Sequence, residues 1–461
     1  MPTFLLREPH LALLCSPGTR TAARIQSTWV KSTWCRSLKT VPLLTAMACA
    51  ALSTGEAGAE GIDTSGHLRA LWPARQEAAA GPLAQAHALV PGIAPSVASA
   101  ATVQAELRAS TRLGGVGLNT TVTLQGHRPE GGPSDTRAWV NEAVASGSAA
   151  GLQWSAGKKV VSWDVGYAFR PNDVVQQEAR RTLSPATLEG RPLLMAEHFT
   201  ASTAYSIVWV NPTKPRAATG ANEPALAARV YHRAADVDWH GFARHGARTG
   251  NSLGAAASWV ASDALELHAS VRHFQRTDGL AWASNAVTFG PALLATNPWA
   301  NSTRGSGQQA LLGGTWTNES QLSLLVEGWY DGAALSKTAW QQWAHRNQAL
   351  GALAGRGAPA VAVAGNLAWQ GSAFNASGAS ASLHRQNLYA RLSWTHDAWQ
   401  PALDVLYHPA DGGRMVTASL VWQGDRVKVE SGLRVNGGPA NAVVRQLPVQ
   451  KQGYVMGTWA F

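Results

Sequence analysis

Long apolar runs are missing. Nowhere in 461 residues is a stretch of 18 apolar residues continuous enough to cross a bilayer as a helix, which excludes a helical membrane protein. Charge is scarce: Asp, Glu, Lys and Arg make up 14% of the chain against the usual quarter, an odd composition for a cytosolic enzyme. Cysteine is confined to Cys15, Cys35 and Cys49, so a chain processed near residue 59 keeps none and needs neither disulfides nor thiolate metal ligands. Histidines are scattered, with no His-x-x-x-His or Glu-x-x-His spacing for a metal, and no Walker loop is present. No catalytic residues, metal or cofactor are expected.

The first 59 residues have secretory character. Lys31, Arg36 and Lys39 form a basic n-region, Val41 to Leu52 an apolar h-region, and Ala57-Gly58-Ala59 a small-x-small cleavage pattern. Residues 1–59 are therefore expected to be a leader and 60–461 the mature domain. Cys49 as an acylated lipobox cysteine is the weaker reading, because Ala46 stands where leucine is usual. Six Lys/Arg and two acids leave with the leader, which lowers the formal charge from +10 to +6. The remaining excess lacks the clustered Lys/Arg with interleaved aromatics that nucleic-acid binding needs, so no nucleic acid is expected.

What is present is a period of two. Val427, Val429, Ser431, Leu433 and Val435 alternate with Arg426, Lys428, Glu430, Gly432 and Arg434, and the preceding stretch sets Val416, Ala418, Leu420 and Trp422 against Thr417, Ser419 and Gln423. About 18 segments of roughly 8 to 12 residues, from 62–72 to 452–461, have the length of tilted transmembrane strands. Connections alternate, short at 112–114, 148–150, 201–203, 234–235, 262–263, 318–319, 396–397 and 424–425, and long at positions including 74–100, 164–191, 276–307 and 331–384. Trp259, Trp316, Trp394, Trp422 and Trp459 fall just before a short turn or the chain end, the level of an interfacial aromatic girdle. The fold class expected is all-β: a transmembrane antiparallel barrel of about 18 strands (16–20), an even number.

The phase of the alternation places charges of both signs inside, among them Glu106, Arg229, Glu266, Glu327, Arg391 and Asp404, where they either tune a water-filled pore or hydrogen-bond across it. Ser336 to Gly355 has helical spacing, with Trp340, Trp343, Ala344 and Leu350 on one face, and fits an outer-loop helix or a plug.

Two stretches resemble known outer-membrane barrels. GYVMGTWAF, Gly453 to Phe461, resembles the carboxy-terminal assembly signal of such barrels, with Trp459 and Phe461 on one face; Met456 stands where the usual signal has glycine, and Gly457 follows one later. GKKVVSWDVGYAFRPNDVVQQEARR, Gly157 to Arg181, resembles a Gly-basic, Trp-Gly-x-Gly, Asn-Pro-x-Asp pattern of a broad group of porin-like proteins. Asp164 replaces its first glycine and Arg170-Pro171-Asn172-Asp173 its last motif. The resemblance implies a bacterial outer-membrane, porin-like channel whose partners are outer-membrane lipid, the barrel-assembly machinery and small hydrophilic solutes. It further implies a long loop folded into the lumen, with Lys158, Lys159, Arg170, Asp173, Arg180, Arg181 and Glu189 at a constriction. The residues alone leave a solvated outer loop equally open. The mature charge tilts the expected channel toward anions, and a barrel enzyme of lipid-hydrolase or protease type, or an export conduit, are the alternatives.

Overall fold

The computed structural model describes residues 61–94, 99–176, 182–183, 187–282, 291–295, 297–372 and 382–461. The expected leader, and Arg180 and Arg181, lie outside them.

The chain runs through β1 (Ile62–Glu77), β2 (Ala100–Leu113), β3 (Val116–Pro129), β4 (Asp135–Ala149), β5 (Leu152–Lys159), β6 (Arg191–Phe199), β7 (Thr203–Val210), β8 (Ala225–Ala234), β9 (Val237–Gly246), β10 (Gly250–Ser262) and β11 (Leu265–Phe274). A separate two-stranded hairpin, β12 (Thr277–Trp282) and β13 (Trp299–Arg304), follows. The ring resumes with β14 (Gly307–Thr317), β15 (Leu322–Asp331), β16 (Gln386–Trp394), β17 (Trp399–His408), β18 (Gly413–Gln423), β19 (Val427–Gly437) and β20 (Val449–Ala460). Successive strands of the 18-stranded sheet pair antiparallel. β1 then pairs with β20, His67 opposite Ala460 and Leu71 opposite Met456, so the sheet closes without an edge.

Register follows from the alternating sequence. Across β18 and β19, Val416 lies opposite Val435, Ala418 opposite Leu433 and Trp422 opposite Val429, all facing out, while Thr417 meets Arg434 and Gln423 meets Lys428 inside. A one-residue slip would carry Lys428 and Arg434 to the outer wall, at roughly 2–4 kcal/mol each at a bilayer midplane. Leu253 and Leu312, 66% and 68% exposed, show how apolar that wall is. An apolar outer face over a polar interior is the pattern of a transmembrane β-barrel.

Near the short turns Trp259, Trp316 and Trp394 face outward as expected, joined by Trp239 and Trp399. Trp399 pairs with Trp422 across β17 and β18. Trp72, Trp209, Tyr330 and Tyr407 are exposed toward the opposite ends of their strands, giving the wall a second aromatic level.

The strictly alternating loop lengths need correction. All connections at one end are short, but at the other end 130–134, 247–249 and 409–412 are short as well. The remaining connections at that end carry structure of their own. Three helices, α1 (Pro82–Leu89), α2 (Lys337–Gly355) and α3 (Ala360–Ser372), bury Leu83, Ala86, Leu350, Val363 and Leu367 in a common apolar cluster. Of these, only α2 has a clear helical pattern. Ser336 caps it by accepting from the Ala339 amide at 3.1 Å, and Trp340, Trp343 and Leu350 are buried. It packs against α3 in the connection between β15 and β16.

Candidate functional site

The segment after β5 does not continue the wall. Gly157 has φ +127°, a conformation β-carbons resist, and a Cβ there would collide with the Ala143 carbonyl. From this bend the chain turns inward and crosses the lumen. Its apolar residues Val161, Trp163 and Val174 pack on the inner faces of β6 to β10, against Leu193, Val208, Ala227, Phe242 and Ala256. Farther along, Ala168 and Phe169 join Leu311, Leu325, Trp329 and Leu406 of β14, β15 and β17, with Phe169 stacked on Trp329 at 5.6 Å.

Polar contacts fix the seat. Asp164 accepts from Ser270 Oγ at 2.8 Å and from the Asn172 amide at 2.5 Å. The Asn172 side chain donates to Ser270 Oγ at 2.9 Å and to the Val271 carbonyl at 3.0 Å. Gly254 of β10 lies beneath it, and a Cβ at that position would run into Asn172 Oδ1. Glu327, fully buried on β15, accepts from the amides of Tyr167 and Ala168 at 2.6 and 2.7 Å. Arg272 donates to the Pro171 carbonyl at 3.1 Å.

The expected constriction residues take different positions. Lys158 Nζ donates to Glu189 Oε1 at 2.6 Å, and this hydrogen bond holds the Glu189 carboxyl below its usual range. Lys159 turns to Ser155 and Met195. Arg170 donates to the Gly166 carbonyl at 2.5 Å and to Ser162 Oγ, folding back on its own loop. Asp173 is buried rather than lumen-lining: it accepts from Ser162 Oγ at 3.0 Å and the Trp163 amide at 3.1 Å. Burial pushes its carboxyl up to about 6, with Arg170 and these donors opposing. Burial likewise raises Asp164, against the pull of the Asn172 amide and Ser270.

Because the loop fills the β6–β15 side, open volume remains toward the other strands. A cavity of about 310 Å³ is lined by Arg69, Gln104, Gln125, Arg137, Trp139 and Glu189. A second, of about 80 Å³, lies between Tyr167 of the loop and Tyr389, Arg391, Thr417 and Arg434 of the wall. Lys158 compensates Glu189, and Arg391 is bonded to Asp404 at 2.9 Å, whereas Arg69 has no acidic partner among the described residues and Arg137 lies over Trp139 at 4.9 Å. Arg69 and Arg137 were not singled out from the sequence. Both occupy inward positions of the alternation, Arg69 opposite Gln104 and Arg137 opposite Gln125, but only the path of the loop shows which inward charges border open space.

The sequence does contain one Gly-x-Ser-x-Gly stretch, Gly250 to Gly254, the spacing of a hydrolase nucleophile elbow. It lies within strand β10 with Ser252 accepting from Arg272 at 3.2 Å, so the strand-to-helix turn that exposes such a serine is lacking.

No family model matches the chain, and no curated protein matches it in sequence. Among solved structures, OccAB1 of Acinetobacter baumannii matches with a TM-score of 0.50 at 10% identity, over 88% of this chain and 99% of that one. The chain has a porin-like barrel fold. OccK5 (OpdH) of Pseudomonas aeruginosa gives 0.49 at 9% identity, over 87% and 98%, and a triple mutant of the Rhodopseudomonas blastica porin 0.42 at 12%, over 87% and 100%.

Proposed function

We propose that the protein is a channel of the bacterial outer membrane, exported by the leader 1–59, through which small hydrophilic solutes diffuse, with a preference for anions. An eight-stranded barrel fills its interior with side chains, whereas 18 strands enclose more space than side chains occupy. The observation that carries the reading is the cavity beside the infolded loop, where Arg69 and Arg137 supply positive charge and the one acid lining the cavity among the described residues, Glu189, is bound by Lys158. Positive groups in a low-dielectric passage raise the local concentration of anions. Lipid contacts the outer wall, and the barrel-assembly machinery is the partner in insertion.

The test is a planar-bilayer recording of the refolded full barrel in a salt gradient. Stepwise conductance is expected, with a reversal potential on the anion side that moves toward zero when Arg69 and Arg137 are both changed to Ser. Cation preference in the native protein would remove the charge reading and leave the pore. Silent membranes from protein shown to be folded by heat-modifiable migration would overturn the channel itself.

A further inference from the structure

Most outward positions of the wall are apolar, but three in one sector hold cations. Arg414 of β18 lies opposite Tyr407 and Gly437, Lys451 of β20 opposite Val435 and Gln76, and Arg128 of β3 opposite Ala101. All three are exposed. Their phase is the outward one, since Arg414 shares the face of Leu420, Lys451 that of Val455 and Arg128 that of Leu124. Gly437 leaves room for the Arg414 side chain along the outside of β19, where a Cβ would stand 3.5 Å from Arg414 Nε. Inward cations of neighbouring positions are bonded: Lys428 reaches Glu430 at 2.7 Å and Arg434 donates to Thr417 Oγ1 at 2.9 Å. Arg128, Arg414 and Lys451 have no acidic partner among the described residues.

The three stand at one height. Tilt carries the paired register toward the helix-bearing end from each strand to the next: Ile62, the first residue of β1, is in line through Thr111 with Leu118, two residues inside β3. A level line must therefore descend roughly one residue per strand, for strands about 4.8 Å apart and tilted about 40°. Lys451 lies two residues below the position in line with Arg414 and Gly437, two strands on. Arg128 follows His127, which is in line through Thr102 with Leu71, so it lies four residues below Gln76, the partner of Lys451, and three strands on. That descent is the one the tilt requires. Tyr407 and Trp72, 40% and 50% exposed, lie beside and just below the line, at the aromatic level that marks a bilayer interface. A cation facing out at this depth meets headgroups rather than acyl chains. Glu77, at the end of β1, and Glu130, in the turn after β3, lie farther toward the loops and leave the line itself positive.

We propose that Arg128, Arg414 and Lys451 form a docking site on the outer wall for the headgroup of a lipid that bears more than one phosphate. The inference rests on the outer-membrane part of the reading above and is independent of conduction. In an outer-membrane barrel the end with the elaborated connections faces out, which puts the site in the outer leaflet. Arg and Lys hold phosphate oxygens by charge-assisted hydrogen bonds, and basic groups at headgroup level recruit anionic lipid. Cations serving only to reach water would need no common height. Along the level line Arg414 and Lys451 are roughly 12 Å apart, and Arg128 stands roughly 20 Å beyond Lys451. One phosphate cannot reach all three at that spacing. A headgroup with two can hold neighbouring cations while its acyl chains lie on the apolar wall below.

Native mass spectrometry of the refolded full barrel in non-ionic detergent, titrated with diphosphoryl lipid A, tests the site. Lipid should be retained on the native barrel, less so at high salt. Arg128→Gln, Arg414→Gln and Lys451→Gln should each weaken the apparent Kd roughly fivefold, and the triple variant on the order of a hundredfold, with conductance unchanged. Lys214→Gln with Arg216→Gln, exposed cations in the connection between β7 and β8 at the same end, is the control and should bind as the native barrel does. Heat-modifiable migration reports folding, and should the triple variant fail it, the three single variants carry the test. Native affinity in the triple variant, or in all three singles, overturns the site, as does an equal loss in the control. Displacement of the lipid by millimolar inorganic phosphate would show a free-anion site and overturn the lipid as occupant. Phosphatidylglycerol retained as tightly as diphosphoryl lipid A would overturn the requirement for a second phosphate. A native barrel that binds the lipid but never conducts keeps the site and sinks the channel.

Discussion

Asp411, in the turn between β17 and β18, accepts from His384 Nε2 at 2.9 Å and from the amides of Val443 and Gly413 at 2.8 and 2.9 Å. Burial alone would raise its carboxyl, but these donors outweigh it and bring it down to about 2 from an ordinary 3.8. A folded-state value below the unfolded one means stability present above pH 4 and lost as pH falls toward 2, on the order of 2 kcal/mol for a shift of this size. Exchange protection at Gly413 and Val443 should decline over that interval. Asp411→Asn should show the loss at neutral pH. Protection in the native protein that is constant down to pH 2 would refute the assignment. This residue joins β18 to the 3-10 turn Val443–Gln446, two segments that have no common pattern in the sequence, so its role could not be read there.

At the scale of elements, strands and loops were unequally legible. A strand with one face in lipid and one in a polar lumen must alternate, and Val427 to Val435 alternate whatever surrounds them. Each of the eighteen expected segments accordingly corresponds to a barrel strand, although the fifth, expected over 151–163, ends at Lys159, where the chain leaves the wall for the lumen. Loop structure depends instead on contacts between residues far apart in the chain. Asp164 meets Ser270, and Tyr167 meets Glu327, partners that no local period connects. α3 was missed because AVAVAGNLAWQGS combines β-branched valines with glycines, and the β12–β13 hairpin because Thr277 to Trp282 lacks the two-residue alternation. The seat of the infolded loop has a specific weak point in Gly254. Gly254→Val should push Asn172 off Ser270 and Val271, costing roughly 1–3 kcal/mol by overpacking. The loop 160–176 should become protease-sensitive while the barrel stays heat-modifiable. Gly241→Val on the adjoining strand, where a Cβ meets nothing within 4 Å, is the matched control and should leave the loop resistant.

For the molecule as a whole, the two ends of the barrel differ in what each can carry. One end has only tight connections such as 114–115, 150–151 and 424–426, ringed by the outward tryptophans. The other supports helices, the β12–β13 hairpin and the origin of the infolded loop. In an outer-membrane barrel the tight end faces the periplasm and the elaborated end faces out. The described strands impose a check on that orientation, because β1 begins and β20 ends at the tight end, where Gly66 and Phe461 exchange backbone bonds at 2.9 and 3.0 Å. Single cysteines can report it cleanly: the native cysteines, Cys15, Cys35 and Cys49, all precede residue 60 and leave with the proposed leader. Cysteine at Asn441, in the connection between β19 and β20 at the elaborated end, should react with a membrane-impermeant maleimide on intact cells. Cysteine at Gly424, in the turn between β18 and β19, should react only after the outer membrane is permeabilised. The reverse pattern would invert the barrel and place the helices and the mouth of the loop in the periplasm. Equal labelling of both on intact cells would mean that the chain is not inserted in the outer membrane at all.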